Sequence, residues 1–274
     1  MSTRPTIPAL QRPLWQRALL SAWVRPLLLV LLLLLIWDVA IRIFRIPPYL
    51  IPSPWSVVSQ LVNEWPRLLK ESIPTTYATL GGFAMSIAFG IPVALFIAYS
   101  RTVESFLYPL LVFSQSVPKI AIAPLFVVWF GFGIIPKVIA AFMLGFFPIV
   151  VSTVMGFKSV DPDMLDLARS MKASRLATFA RISLPQALPS IFAGLKVSIT
   201  LAVVGAVVGE FVGSNSGIGY LLQIANGNFD LPLMFAALTV LSAIGVVLFV
   251  AVDVVERWMI PWHASQRNDV SVTA

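Results

Sequence analysis

Between residues 158 and 186 the chain reads Lys158-Ser159-Val160-Asp161-Pro162-Asp163-Met164-Leu165-Asp166-Leu167-Ala168-Arg169-Ser170-Met171-Lys172-Ala173-Ser174-Arg175, and it closes on Ile182-Ser183-Leu184-Pro185. Asp161-Pro162-Asp163 has the form of a helix start, with a capping acid, proline at the first turn and a second acid at the positive end of the helix dipole. Met164, Leu165, Ala168 and Met171 then recur at helical spacing. Leu176, Phe179, Ala180 and Ile182 mark a second short segment that ends at Leu184-Pro185. This charged helix pair sits between long apolar runs, and that setting decides the fold.

Outward from it the chain is hydrocarbon-like. Of 274 residues, 58% are hydrophobic and 11% charged, and the mean hydropathy is +0.91. Soluble domains carry about 25% charged residues, so a soluble enzyme, a disordered chain and a disulfide-stapled fold are all excluded. A spanning helix needs about 20 apolar residues. Six stretches qualify: 26–44, 76–99, 105–131 (interrupted by Pro109, Pro118 and Pro124), 135–157, 187–212 and 232–256. The expected fold is all-α, a polytopic membrane protein of about six transmembrane helices. Residues 26–257 form one transmembrane domain between tails at 1–25 and 258–274. The N-terminal run is long enough to span and has no cleavage site of small residues behind it.

Basic residues orient the chain. With the N-terminus cytoplasmic, twelve of them (Arg4, Arg12, Arg17, Arg25, Arg101, Lys158, Arg169, Lys172, Arg175, Arg181, Arg257 and Arg267) face the cytoplasm. Five face outward: Arg42, Arg45, Arg67, Lys70 and Lys137. The positive-inside rule therefore puts both termini and the 158–186 loop in the cytoplasm. Residues 45–75 become an outer loop. Trp55, Val58, Leu61, Val62, Trp65, Leu68 and Leu69 recur in it at helical spacing, as in an interfacial helix kinked near Pro66.

The chemistry that is missing narrows the function. There is no cysteine and one histidine, His263, beyond the last span, so no metal site is expected. No phosphate-cradling G-x-x-x-x-G-K-[ST] loop and no catalytic motif occurs. Gly131-Phe132-Gly133 and Gly217-Ile218-Gly219 read as turns. The span acids Asp38, Glu210 and Asp253 read as isolated, apart from an i,i+4 pair of Asp38 with Arg42. Basic residues at span ends argue for membrane orientation rather than nucleic acid. No cofactor is expected, and any energy for transport must come from a coupled ion or another subunit.

The loop's spacing resembles the E-A-A-x-x-x-G-x9-I-x-L-P signature of the permease subunits of type I ABC importers. Asp166, Leu167, Ala168, Arg169, Ser170, Met171 and Lys172 stand in its first half, followed by Ala173 and Arg175, with Ile182, Leu184 and Pro185 in its second. Ile51-Pro52-Ser53-Pro54, Ala123 to Gly133, and Glu210 followed by Ser216-Gly217-Ile218-Gly219-Tyr220 resemble the sulfonate, taurine, nitrate and vitamin-precursor branch. The chain departs from the signature at Asp166 (usually Glu), Leu167 (usually Ala) and Lys172 (usually Gly, where a left-handed turn suits glycine best). The resemblance implies a non-catalytic permease with a coupling helix between spans four and five. That helix docks on a separate ATPase, with Leu165, Ala168 and Met171 as its apolar contacts. It also implies a second permease copy, a homodimer, and an external substrate-binding protein. The alternatives are an ion-coupled carrier working alone and a membrane enzyme or scaffold.

Within the membrane, Gly205, Gly209 and Gly213 form a small-residue stripe suited to close helix packing, within the chain or between subunits. Ser198, Ala202 and Ala206 form a second stripe that ends at Glu210. Ionisable groups in spans usually face the protein interior or water. Lys119, beside Pro118, is read as facing the pathway or as paired to backbone carbonyls. Glu210 is read as a pathway residue or an interfacial one, and Ser198 as a pathway residue.

Overall fold

The computed structural model describes residues 24–262. Residues 1–23 and 263–274, with His263 and four tail arginines (Arg4, Arg12, Arg17 and Arg267), lie outside the described residues. Every regular element described is helical. The helices are α1 (Val24–Phe44), α2 (Pro54–Asn63), α3 (Trp65–Tyr99), α4 (Arg101–Ser116), α5 (Lys119–Phe130), α6 (Ile134–Lys158), α7 (Pro162–Ser170), α8 (Arg175–Thr178), α9 (Leu184–Gly213), α10 (Ile218–Gly227) and α11 (Leu231–Met259). A π-helical turn, Phe179–Ser183, joins α8 to α9. Among the described residues, five helical stretches are long and apolar enough to cross a bilayer, and α4 with α5 makes a sixth if the pair is one span.

Two spans differ from their sequence-based expectation. The stretch 105–131 is not one straight helix: α4 and α5 meet at 91° across Val117-Pro118. Of its three prolines, only Pro118 breaks the chain, whereas Pro109 and Pro124 lie inside helices. The helix of the second span begins at Trp65, not Thr76, and the expected single helix kinked near Pro66 is two helices. Instead α2 ends at Asn63 and α3 starts afresh, with Pro66 in its first turn, where a missing N–H costs nothing. At 35 residues α3 is about 52 Å long at 1.5 Å per residue, well beyond the roughly 30 Å of hydrocarbon.

The long helices α3, α6 and α9 form the core, and small residues let them approach. A Cβ on Gly82 would strike Ala141 of α6. One on Gly205 would lie 2.6 Å from the Ala140 carbonyl oxygen, and one on Gly209 2.7 Å from the Lys137 Cα. One on Gly213 would lie 2.8 Å from the Val127 side chain of α5. The glycine stripe therefore packs within the chain, against α6 and α5. At the end of the bundle where α6 begins and α9 finishes, Val57 and Leu68 pack with Ile218, Leu221, Leu233 and Ala236. At the opposite end, Ile149, Ala187, Ile191 and Phe192 close over Ile260. The outer elements are thinly attached. Residues Leu27 to Ile36 of α1 are exposed all round, and α4 buries no residue. A helix apolar on every side is suited to hydrocarbon.

Candidate functional site

The α6–α9 connection is built from the residues that opened the sequence reading. Asp161 caps α7 by accepting the Asp163 N–H at 2.9 Å, while its own N–H donates to Gln186 Oε1 at 3.2 Å and ties the helix start to α9. Arg169 pairs with Asp166 at 2.8 Å, and the Ser170 hydroxyl donates to the Asp166 carbonyl. At the far end, the N–H groups of Met171, Lys172 and Ala173 bond back to Leu167, Arg169 and Ala168. Lys172 takes φ +54, so the left-handed turn that glycine supplies in the family signature is retained with a lysine in it. Ser174 caps α8 by accepting the Ala177 N–H at 3.2 Å.

One expectation for this helix is corrected. Ala168 is buried against the body and so is not free for a partner, whereas Leu165 is half-buried at the rim of the cavity beside it. The outward apolar side chains are Met164, Leu167, Met171 and Leu176, which lie beside exposed Arg175. The helix rests on an aromatic seat. Phe179 stacks on Phe157 with ring centroids 5.8 Å apart, and both approach Tyr99. A cavity of about 610 Å³ opens beside them, bordered by Arg169 and Arg175. Ile182, Leu184 and Pro185 are half-buried where the π turn enters α9.

The opposite end holds a charge cluster that single-residue reading does not expose. Glu210 is 0% and Lys137 3% exposed, and Lys137 Nζ lies 3.6 Å from Glu210 Oε1. Thr75 of α3 donates its hydroxyl to the Glu210 carboxylate at 2.9 Å and accepts the Ile218 N–H at 2.8 Å. Glu210 Oε2 accepts the Gly219 N–H at 2.8 Å, Glu71 accepts the Gly217 N–H at 2.7 Å, and Lys137 Nζ donates to the Ser216 carbonyl at 2.7 Å. Gly217 has φ +112, and a Cβ there would fall on the Glu210 carboxylate. Glu210 is therefore neither interfacial nor open to a pathway within this chain.

The reading of the span acids as isolated is likewise corrected. Asp253 and Glu256 of α11 both pair with Lys196 of α9, and Asp253 also pairs with Arg257 at 2.8 Å. A search for opposite charges inside apolar runs would have found Lys137 and Lys196. Nothing local marks Thr75 or Glu71. Ser198 is fully buried beside Gly145 of α6, with no hydrogen-bond partner for its hydroxyl. Lys119 stands half-buried at the start of α5, where the chain turns through 91°. No group of three metal-ligating side chains occurs among the described residues.

Long apolar helices able to cross a bilayer, with a capped helix pair set between two of them, define a polytopic membrane protein, and comparison with known proteins gives the family. Residues 86–261 match the model of the binding-protein-dependent transport system inner membrane component, and the chain belongs to that family. It is 39% identical to the formylaminopyrimidine transport permease protein ThiX of Halalkalibacterium halodurans, over 88% of this chain and 96% of that one. It is 35% identical to the riboflavin transport system permease protein RibX of Chloroflexus aurantiacus (86% and 88% covered). It is 29% identical to the taurine transport system permease protein TauC of Escherichia coli (84% and 86% covered). The fold matches an inward-facing MetNI methionine ABC transporter chain with a TM-score of 0.58 at 19% identity, covering 69% of this chain and 94% of that one. The chain is an ABC importer permease and a multi-pass membrane protein.

Proposed function

We propose that this permease works as a homodimer around one pathway, and that α7 and α8 form the coupling helix pair that docks on a separate ATPase. The observation that carries this reading is the build of α7: a nine-residue helix, capped at Asp161, tied to α9 through Gln186, and presenting Met164, Leu167 and Met171 outward. A rigid helix on a rigid seat can pass on a rigid-body movement, as a frayed loop cannot. Asp166, Arg169, Ser170, Lys172, Ala173 and Arg175 make the polar part of that interface.

In this reading both termini and α7 lie in the cytoplasm, and α4 with α5 makes one broken crossing, giving six. An external binding protein delivers a small solute of the sulfonate, taurine, nitrate or vitamin-precursor kind. Relatives named for formylaminopyrimidine and riboflavin transport favour the vitamin-precursor type. Lys119 supplies a cation at the bend, where broken helices in transporters hold polar substrates. The ion-coupled alternative loses support at the Glu210 cluster. Its carboxylate is filled by Thr75, Gly219 and Lys137, leaving no open ion site.

The test is co-purification with the co-expressed ATPase and measurement of ATP-driven uptake in proteoliposomes. Leu167→Asp with Met171→Asp should abolish association while leaving the permease folded. Undiminished association would refute the coupling assignment. Lys119→Ala should reduce uptake with association intact, and unchanged uptake would remove Lys119 from the pathway.

A further inference from the structure

The Glu210 cluster joins more of the chain than any other polar group described. Glu71 and Thr75 belong to α3, Lys137 to α6 and Glu210 to α9, and all four converge on the Ser214–Gly219 turn that launches α10. Three consecutive amides of that turn, those of Gly217, Ile218 and Gly219, each have a side-chain acceptor from this group. Those three donors are already used within the chain, so they are not free for a ligand. The cluster holds structure together rather than binding solute.

Burying a lysine and a carboxylate is costly, and such pairs often stabilise a fold no better than well-packed apolar residues. What they specify is geometry. Alone, α10 is too short to persist as a helix, and its position depends on what grips its first turn. The cluster lies at the far end of α6 and α9 from α7, so it locks the ends of three long helices that elsewhere meet through packing and the Ser86 hydroxyl bond to the Phe142 carbonyl.

We propose that Lys137, Glu210 and Glu71 are positioning residues that clamp α10 to α3, α6 and α9. With the clamp closed, displacement at α7 moves the far end of the chain as one lever, and the core helices do not slide past one another. Elements outside the clamp, α1 and α4, stay free to shift. This inference rests on the reading of the chain as an ATP-driven permease.

The experiment uses the full transporter, permease with its ATPase, in proteoliposomes. Single charge removal leaves a buried uncompensated ion and invites misfolding, so the main variant is the double neutral Lys137→Met/Glu210→Gln. Loss of the clamp predicts amides of residues 217–219 exchanging about tenfold faster, a local opening and not a global one. It further predicts ATP hydrolysis within about twofold of the unaltered complex, with uptake per ATP down about tenfold, the scale of one lost local interaction. Unchanged amide protection or unchanged uptake per ATP overturns the proposal. Equal loss of hydrolysis and uptake does so too, since it reduces the cluster to an assembly role. Should the double variant fail to assemble, Glu71→Gln, which weakens only the grip on Gly217, carries the same test with the same readouts. Absence of ATP-driven uptake by the unaltered complex would instead refute the transport reading.

Discussion

Gly205→Ala asks the seam between α6 and α9 to admit one methyl group. The new Cβ would lie 2.6 Å from both the Ala140 carbonyl oxygen and the Ala141 Cα, and 2.8 Å from the Ala140 carbonyl carbon. Favourable carbon contacts lie at about 3.5–4.0 Å. All three obstructing atoms are backbone, so none can rotate away, and the helices must part by about 1 Å. A gap of about 0.5–1 Å forfeits a quarter to a half of each dispersion contact along the seam. Overpacking of this kind costs about 1–3 kcal/mol, and about 2 kcal/mol is expected here because the obstruction is rigid. For a chain of this size that lowers the thermal midpoint by roughly 4–8 °C.

The matched control is Gly245→Ala on α11, where no heavy atom lies within 4 Å of the added Cβ. Alanine there gains about 0.5–1 kcal/mol of helix propensity. Both variants are to be purified in detergent and unfolded thermally, followed by tryptophan fluorescence, with size-exclusion profiles taken beforehand. Gly205→Ala should melt lower than the unaltered chain, and Gly245→Ala level or higher. If the two melt together, the claim that the glycine stripe sets the α6–α9 distance fails.

Three further outcomes follow from the geometry. Asp161→Ala removes the α7 cap at a cost of about 1 kcal/mol, so the α7 amides should exchange about fivefold faster; unchanged protection would show that the tie through Gln186 suffices. Lys172→Gly relieves a left-handed lysine worth about 1 kcal/mol and should leave α7 at least as protected, whereas Lys172→Val should loosen it; tolerance of valine would mean that the turn does not need its positive φ. Thr75→Val strips the Ile218 N–H of its acceptor and Glu210 of a donor, costing about 1–3 kcal/mol of thermal stability, and Thr75→Ser should restore it; failure of serine to rescue would shift the role to the methyl group.

The membrane spans and α7 were readable because their signals are local. Leu27 to Ile36 is a run, and Asp161 to Ser170 is a cap followed by a periodic helix, and neither needs distant partners. The bend at Val117-Pro118 was not readable in the same way. Pro109, Pro118 and Pro124 carry equal local signals, and what distinguishes them is tertiary: α5 alone turns inward, burying Ala123 and Phe126, while α4 buries nothing. Pro74 stands just before the expected start of the second span at 76, yet α3 runs through it, and the hydroxyl of Thr76 nearby bonds back to the Ser72 carbonyl. Serine and threonine close to a proline commonly keep membrane helices intact in this way.

Charge shows the same division between local and distant information. Lys137 was counted among five outward-facing basic residues, but it is buried against Glu210, 73 residues away in sequence. Removing it from the tally leaves four against twelve, so the proposed orientation gains rather than weakens. The correction also changes what the acids mean. A carboxylate in an apolar run has two ready explanations, an ion pathway or an internal partner, and only the opposite charge on another helix decides between them. Glu210 has Lys137, and Asp253 with Glu256 has Lys196. Among the described ionisable groups near mid-span that leaves Lys119, at the 91° bend, with no ion pair or hydrogen bond to the described residues. A half-buried cation that the described residues do not neutralise is the one best placed to meet charge from elsewhere, which is why the substrate test begins there.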